Sequence, residues 1–521
     1  MRVLFAFAFW AALSIAPAAI AAGPAAAPSP PSSLSPAPSD QSWLGEVAFA
    51  NSGNAAAQAP FLRGLALLHD FEYPAAAAAF RQAEAADPGF AMAVWGEAMT
   101  YNHPVWMEQD KEAGEAALAQ LGPTRAARLA KAATPRERAY LEAVDTLYGE
   151  GSKEARDQAY SNRMALLFAA NPDDIDARAF YALSLLGLAH QGRDHALYMR
   201  AAALLEEVFA AHPRHPGVVH YLIHCYDDPV HAPLGLRAAR LYGAIAPQAG
   251  HALHMTSHIF LALGLWPEVE RANVQAMAVV NRQRTAAGRP ESHCGHYWEW
   301  LVYARLEQGG DEAADVARCR ADGLRELAAN PAPTRIEPNR SEILSWADMA
   351  IRRLIETGAR DPAPVPLPDG HYLETRFTLA YADLMAAGRD PARVRSARAA
   401  LQSLAARLDA ARSEEQRTDA DAPRRQRIVL MQAAGLERLA SGDAEGGLVG
   451  LRATAEAEAA MPVAFGPPLV EKPSFELLGD VLLGLGRFDE AASAYQSALA
   501  AAPNRRISVR GLALARQHRP G

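Results

Sequence analysis

The chain has 521 residues, enough to bury a large core, and its 59 Asp and Glu against 51 Lys and Arg leave a formal charge of only -8. The charges are interspersed, without a dense basic stripe or an aromatic-basic platform, which excludes a nucleic-acid surface of the usual kind. Three cysteines, Cys225, Cys294 and Cys319, do not make a disulfide framework, although a single bridge between Cys294 and Cys319 stays open.

Residues 1–22 read as a secretory signal peptide. Met1-Arg2 precedes an apolar run from Val3 to Ile15, and Ala19-Ile20-Ala21 supplies an A-x-A processing signal, with cleavage one residue later as a second reading. A retained membrane anchor is the alternative. Residues 23–42 are Pro/Ala/Ser-rich and read as a disordered tether. The expected location is therefore exported, periplasmic or secreted, with no stable membrane span after processing.

From residue 43 onward Ala, Leu, Glu and Arg dominate and β-branched runs are scarce, which favours helix nearly throughout. A helix starting at Phe61 has its partner over Pro74–Ala86. Further helical segments are expected near 89–145, 157–190 with 194–211, 216–228 with 233–246, and 250–264 with 267–284. After these come 291–307 with 311–329, 341–357 with 372–386, 391–413, and 424–441 with 443–460. Pro- or Gly-rich loops at 329–339, 359–370 and 462–473 separate them, and some are long enough to cover a groove.

Gly64, Ala76, Phe80, Ala83 and Pro88 are spaced by offsets of 12, 16, 19 and 24, and Gly479, Ala491, Tyr495, Ala498 and Pro503 repeat those offsets. Small residues let two antiparallel helices approach, the aromatic fills the hairpin, and Pro ends the second helix. In these residues the chain resembles the tetratricopeptide repeat (TPR) superfamily, as an exported bacterial subgroup with paired H-x-x-x-H helices. The resemblance implies an all-α fold, a right-handed superhelical solenoid of antiparallel helix pairs spanning residues 43–521. It also implies a concave groove that holds peptides or partner proteins.

Twelve of the sixteen histidines fall between His190 and His296. His220 and His224 form one H-x-x-x-H pair, His254 and His258 another, each offset from the first by 34 residues. Four residues along a helix return to one face, so each pair presents two imidazoles in one direction. Aligned on the repeat, these four, together with His251, Asp227 and Asp228, match positions that line the concave surface in the resembled family.

The expected centre is a transition-metal site. His220, His224, His254 and His258 are its ligands, and His251, His293 and His296 are candidates to complete it. Asp227, Asp228, Glu97, His103, His190 and His231 are catalytic or outer-sphere candidates, and Tyr101, Tyr221, Tyr297, Trp298 and Trp300 are candidates to line a substrate pocket. His69, His371 and His518 stand apart as background. Imidazole donors suit zinc, copper, iron or nickel. No H-E-x-x-H, G-x-S-x-G elbow or dinucleotide fingerprint is present. Copper is favoured, with zinc or iron as alternatives, and a three-plus-three arrangement would give a dicopper centre able to engage dioxygen. The expected activity is a copper-dependent oxidoreductase acting on a small-molecule or peptide substrate in the groove. The alternatives are a zinc-dependent hydrolase and a non-catalytic scaffold that binds metal, peptide or a protein partner.

Overall fold

The computed structural model describes residues 43–330, 334–338, 341–360, 364–413 and 421–518. The segments read as signal peptide and tether, residues 1–22 and 23–42, lie outside them.

The described chain is built from helices that pair with their sequence neighbours. α1 (Ala55–His69) packs on α2 (Tyr73–Ala86), which is followed by α3 (Ala91–Met99). A short antiparallel excursion comes next, with β1 (Asn102–His103) paired to β2 (Glu108–Gln109) across a 3-10 turn at Pro104–Trp106. Then come α4 (Lys111–Ala119), α5 (Arg125–Leu129), α6 (Pro135–Leu147), α7 (Lys153–Ala170), α8 (Ile175–Leu186) and α9 (His195–Phe209).

The central pairs are α10 (Pro216–Tyr226) with α11 (Ala232–Ile245), and α12 (Gly250–Ala262) with α13 (Trp266–Ala286). They continue into α14 (His296–Glu307), α15 (Ala313–Ala329), α16 (Glu342–Thr357), α17 (Leu373–Met385) and α18 (Pro391–Ala411). The chain ends with α19 (Asp421–Ala440) and α20 (Ala444–Ala459), α21 (Ser474–Gly484) and α22 (Phe488–Ala501), and α23 (Arg506–Gln517). No described helix is long and apolar enough to cross a membrane.

The helix pairs close as the small-residue pattern requires. A Cβ on Gly64 would lie 2.8 Å from the Phe80 ring and one on Gly96 2.3 Å from it, so this ring is clasped between two glycines. Tyr495 is clasped in the same way by Gly479, at 2.7 Å, and Gly511, at 2.2 Å. These contacts make the fold a solenoid of paired antiparallel helices.

Two expectations need correction. The 157–190 helix is two helices, because Asn171 ends α7 and Pro172 cannot continue it. The region 89–145 is not a simple pair either. Pro104, Pro123 and Pro135 punctuate it, and the β1–β2 excursion stands where helix was expected.

The concave side of the central pairs is covered from both ends of the chain. The α1–α2 turn reaches across to α10, α11 and α12: the His69 carbonyl lies 2.6 Å from His220 Nδ1, the Tyr242 hydroxyl donates to Asp70 Oδ1 (2.8 Å) and the His251 N–H to Glu72 Oε1 (3.1 Å). From the other end, the 462–473 loop sets Gly466 against Trp300, and the Pro468 carbonyl accepts from Arg352 (3.0 Å). Arg505 is then fully enclosed by Glu307 (2.6 Å), Glu356 (2.8 Å) and Glu476 (2.8 Å). Trp266 Nε1 donates to the Asn504 carbonyl at 3.1 Å. The histidines that repeat alignment put on an open groove are in consequence buried: His220 and His254 fully, His224 and His258 to within a few per cent.

Candidate metal centre

α10 begins at Pro216, with His215 as its N-cap accepting from the Val218 N–H (3.3 Å). At its other end the buried Arg193 donates to the carbonyls of His224 (3.3 Å) and Cys225 (2.7 Å), a cation on the negative end of the helix. α12 begins at Gly250, where a Cβ would meet Val280 at 2.7 Å, and the Glu72 carboxylate sits on its N-terminal N–H groups. α14 begins after Gly295, whose φ of +89° is a glycine conformation. Just before it the Cys294–Cys319 disulfide fastens the start of α14 to α15.

These three helices gather six imidazoles into two groups. His220, His224 and His251 have ring nitrogens within 4.8 Å of one another, and so have His254, His258 and His296. The groups adjoin, with His224 and His258 rings 6.2 Å apart and His251 and His254 rings 6.4 Å apart.

The partners of the outer ring nitrogens fix the tautomers. His220 Nδ1 is 2.6 Å from the His69 carbonyl, which can only accept, so that nitrogen carries the proton and Nε2 keeps its lone pair. His258 Nδ1 lies 2.5 Å from Asp227 Oδ2, again an acceptor. His254 Nδ1 lies 2.7 Å from Asn273 Oδ1, and the Asn273 amide is oriented by donating to the Val269 carbonyl (2.8 Å). All three rings therefore turn an unprotonated Nε2 inward, the arrangement in which outer oxygens orient metal-binding histidines.

Two of those inward nitrogens, His254 Nε2 and His258 Nε2, face each other at 3.1 Å. Two lone pairs at that distance repel unless a cation lies between them. With metal–nitrogen bonds of about 2.0–2.1 Å the separation corresponds to an angle of about 100° at one ion. In the other group His220 Nε2, His251 Nε2 and both ring nitrogens of His224 are buried without a hydrogen-bond partner. A buried polar atom left so costs about 1–3 kcal/mol. Burial lowers the affinity of His224, His251 and His254 for protons well below the ordinary imidazole range, and that of His220 to about 3, so neutral donors are available. The capacity to coordinate metal is thus built into the fold.

Aromatic rings cover much of the site, which stays open to solvent at the exposed His296. Phe71 holds a left-handed backbone (φ +57°), rare for a bulky residue, and its ring lies 4.3 Å from His220, 5.5 Å from His251 and 5.7 Å from His224. Over the second group Tyr297 stacks on His254 (4.4 Å) and Trp300 lies 4.4 Å from His258.

Other candidates fall elsewhere. His293 turns away to Asp322 (3.2 Å) and joins neither group. Asp227 holds the outer nitrogen of His258, and Asp228 binds His231 (2.8 Å) and Arg193 (3.1 Å), so neither carboxylate stands among the inward-facing ring nitrogens. Glu97 pairs with Arg81 (2.8 Å) and accepts from Tyr101, which places both outside the centre. His190 pairs with Asp157 at 3.0 Å, and His103 stacks on Tyr73 at 4.0 Å on the β1–β2 excursion. Trp298 faces the opposite side of α14, donating to the Ser292 carbonyl (2.8 Å) and lining an outer groove of about 630 Å³ with Met277 and Arg305. Tyr221 hydrogen-bonds His69 Nδ1 (2.9 Å) and lines a small cavity of about 20 Å³ with Phe180 and Met99.

His69, set aside as background, is central. Its carbonyl orients His220, and its ring bridges Tyr221 to Asp176 (2.9 Å), which also binds His215 (3.2 Å). Burial alone would raise the Asp176 carboxyl, but these two donors hold it well below the ordinary carboxylate range. Both ring nitrogens of His69 are thereby engaged, and its cluster with Asp176 and His215 supports the centre while itself forming a third group of metal-ligating type. Asn273, Glu72 and Phe71 were also missed. His371 and His518 lie away from the centre, each bonded to a nearby carbonyl, at 2.8 and 2.9 Å, and His518 also stacks on Phe488 (5.4 Å).

No family model and no curated protein matches this chain. Among solved structures, the TPR domain of P58(IPK) is similar at 11% identity over 89% of this chain and 98% of that one, with a TM-score of 0.22. The APC/C hetero-tetramer Cut9–Hcn1 is similar at 10% identity over 90% of this chain and 78% of that one, with a TM-score of 0.31. The complex of Naa15/Naa10 bound to HypK-THB is similar at 11% identity, covering 89% and 75%, with a TM-score of 0.21.

Proposed function

We propose that the protein is a histidine-ligated transition-metal protein that holds two ions, one on His220, His224 and His251 and one on His254, His258 and His296. The observation that carries this reading is the opposition of His254 and His258 Nε2 at 3.1 Å, with both Nδ1 atoms tied to oxygen acceptors. A proton shared between these two rings would satisfy that pair alone. It would leave the orphaned nitrogens of His220, His224 and His251 without a reason.

Copper is the favoured metal. All six donors are imidazole, no thiolate or carboxylate enters either group, and copper heads the affinity order for such donors. The Cys294–Cys319 disulfide suits an oxidising compartment, in keeping with export. Three imidazoles on each of two adjacent ions leave coordination positions open, which supports the finer reading of an oxidoreductase acting on a small-molecule substrate. The rings of Phe71, Tyr297 and Trp300 would wall the centre, which meets solvent at His296, while Asp227, Asn273 and the His69 carbonyl keep the His258, His254 and His220 rings in one orientation.

A zinc-dependent hydrolase draws less support, because Asp227 is bonded to the outer nitrogen of His258 and Glu97 to Arg81. The non-catalytic form of the proposal, a helical scaffold that stores or passes on metal, uses the same six ligands.

Elemental analysis after loading with copper or zinc tests the site. Two ions per chain are expected, falling sharply in the double variant His220→Ala with His254→Ala at unchanged helicity. Unchanged metal content in that variant would refute the assignment. Oxygen uptake by the copper-loaded protein with a panel of phenols, thiols and peptides then separates the oxidoreductase from the scaffold.

A further inference from the structure

The β1–β2 excursion is the only strand pair among the described residues, and it lies against the proposed centre. Its 3-10 turn carries Trp106, followed by Met107 in a left-handed conformation (φ +57°). The Trp106 side of this turn faces solvent, with the residue 46% exposed. Single exposed aromatics are ordinary on protein surfaces, so the exposure alone decides nothing. What distinguishes Trp106 is the ring it touches: its centroid is 5.7 Å from His251, a proposed ligand, and 5.5 Å from Phe71. Phe71 in turn packs on His220 and His224. Aromatic contacts therefore run without a break from solvent to all three imidazoles of the first group. The second group is covered differently: Trp300, 2% exposed and covered by Gly466, lies over His254 and His258, while its third imidazole, His296, is itself exposed.

We propose that Trp106 is the port through which an external one-electron donor reduces the metal centre, the electron passing from the indole to His251. This rests on the copper reading above. The donor loses one electron and one copper(II) becomes copper(I), with no bond made or broken and no proton required. Glu108 stands beside the port on β2, with a side chain 62% exposed, next to His103 (3.3 Å).

The probe is hexaammineruthenium(II), a cation that donates one electron without entering the coordination sphere. Copper content is measured first in the full chain, in Trp106→Leu, in Trp106→Phe, and in Trp43→Leu as a control at another exposed tryptophan (41%). A wild-type protein that binds no copper ends the parent reading at that step. With copper bound, reduction is followed under nitrogen by stopped-flow loss of the copper(II) absorbance. Trp106→Leu should react about tenfold more slowly at full copper content, Trp106→Phe between it and wild type, and Trp43→Leu as wild type. Equal or faster reduction in Trp106→Leu overturns the proposal. If that variant loses copper, the rate of Trp106→Phe decides in the same sense.

Discussion

Replacing Asp227 with Asn separates an orienting carboxylate from a catalytic one. Asp227 Oδ2 lies 2.5 Å from His258 Nδ1, and the carboxylate obliges that nitrogen to carry its proton. An Asn of nearly the same shape can turn its amide N–H groups to the ring instead. His258 would then hold its proton on Nε2, pointing at His254 Nε2 only 3.1 Å away, where a metal should be. Loss of an outer partner of this kind lowers metal affinity by about 10–100-fold. That corresponds to about 1.4–2.8 kcal/mol. Asp227→Ala removes the acceptor without offering a donor and should lose less than Asp227→Asn. Competition against a chelator of known affinity measures the change, with circular dichroism confirming intact helix. Wild-type affinity for both ions in Asp227→Asn would refute the tautomer argument.

Reading the other contacts in the same way gives three more expectations. Gly96→Ala drives a methyl into the Phe80 ring at 2.3 Å and should destabilise the N-terminal repeats by about 1–3 kcal/mol, most of it recovered in the double variant with Phe80→Leu; thermal melts of the four proteins check the cycle. Replacing Cys294 and Cys319 with Ser opens a link across 25 residues and should cost about 3 kcal/mol, with metal lost first from the group that contains His296; elemental analysis during denaturant titration follows both. Burial would raise the Glu476 carboxyl, but Arg505 and Lys472 bring it down to about 2, below its ordinary 4.5. Its contribution, about 3 kcal/mol, is therefore present above pH 4.5 and lost as pH falls toward 2. A Glu476→Gln variant should lack that part of the acid slope in chemical denaturation, and an identical slope would count against the network.

The repeat architecture was legible because it depends on contacts between residues a fixed distance apart. Gly64 and Phe80, or Gly479 and Tyr495, meet wherever two consecutive helices pair, so their spacing survives in the sequence. The 34-residue offset between the two H-x-x-x-H pairs was legible for the same reason, since α10 and α12 are first helices of successive pairs. The β1–β2 excursion left no such trace. Its two strands hold only two residues each, too short for a period, and Pro104 marked a break without saying what replaced the helix.

Asp227 and Asn273 orient His258 and His254 from within the central pairs, and Asp227 was legible as an outer-sphere candidate, but the remaining surroundings arrive from far along the chain. His69 lies 151 residues from His220, and Glu72 lies 179 from His251. A solenoid that merely stacked its repeats would leave the His220 and His254 faces open to water, as the repeat alignment implied. Here the α1–α2 turn folds in over α10 and α12, and the 462–473 loop folds in over α14. Each covering segment removes water from ring nitrogens and supplies an acceptor or an aromatic wall in its place. Closure by the α1–α2 turn sets the tautomer of His220, Asp227 and Asn273 within the central pairs set those of His258 and His254, and burial makes leaving the inner nitrogens unoccupied costly. An open groove of the same six residues would bind metal weakly and in several geometries, whereas here His220, His254 and His258 are buried and held in one orientation, and only His296 keeps an exposed edge toward solvent.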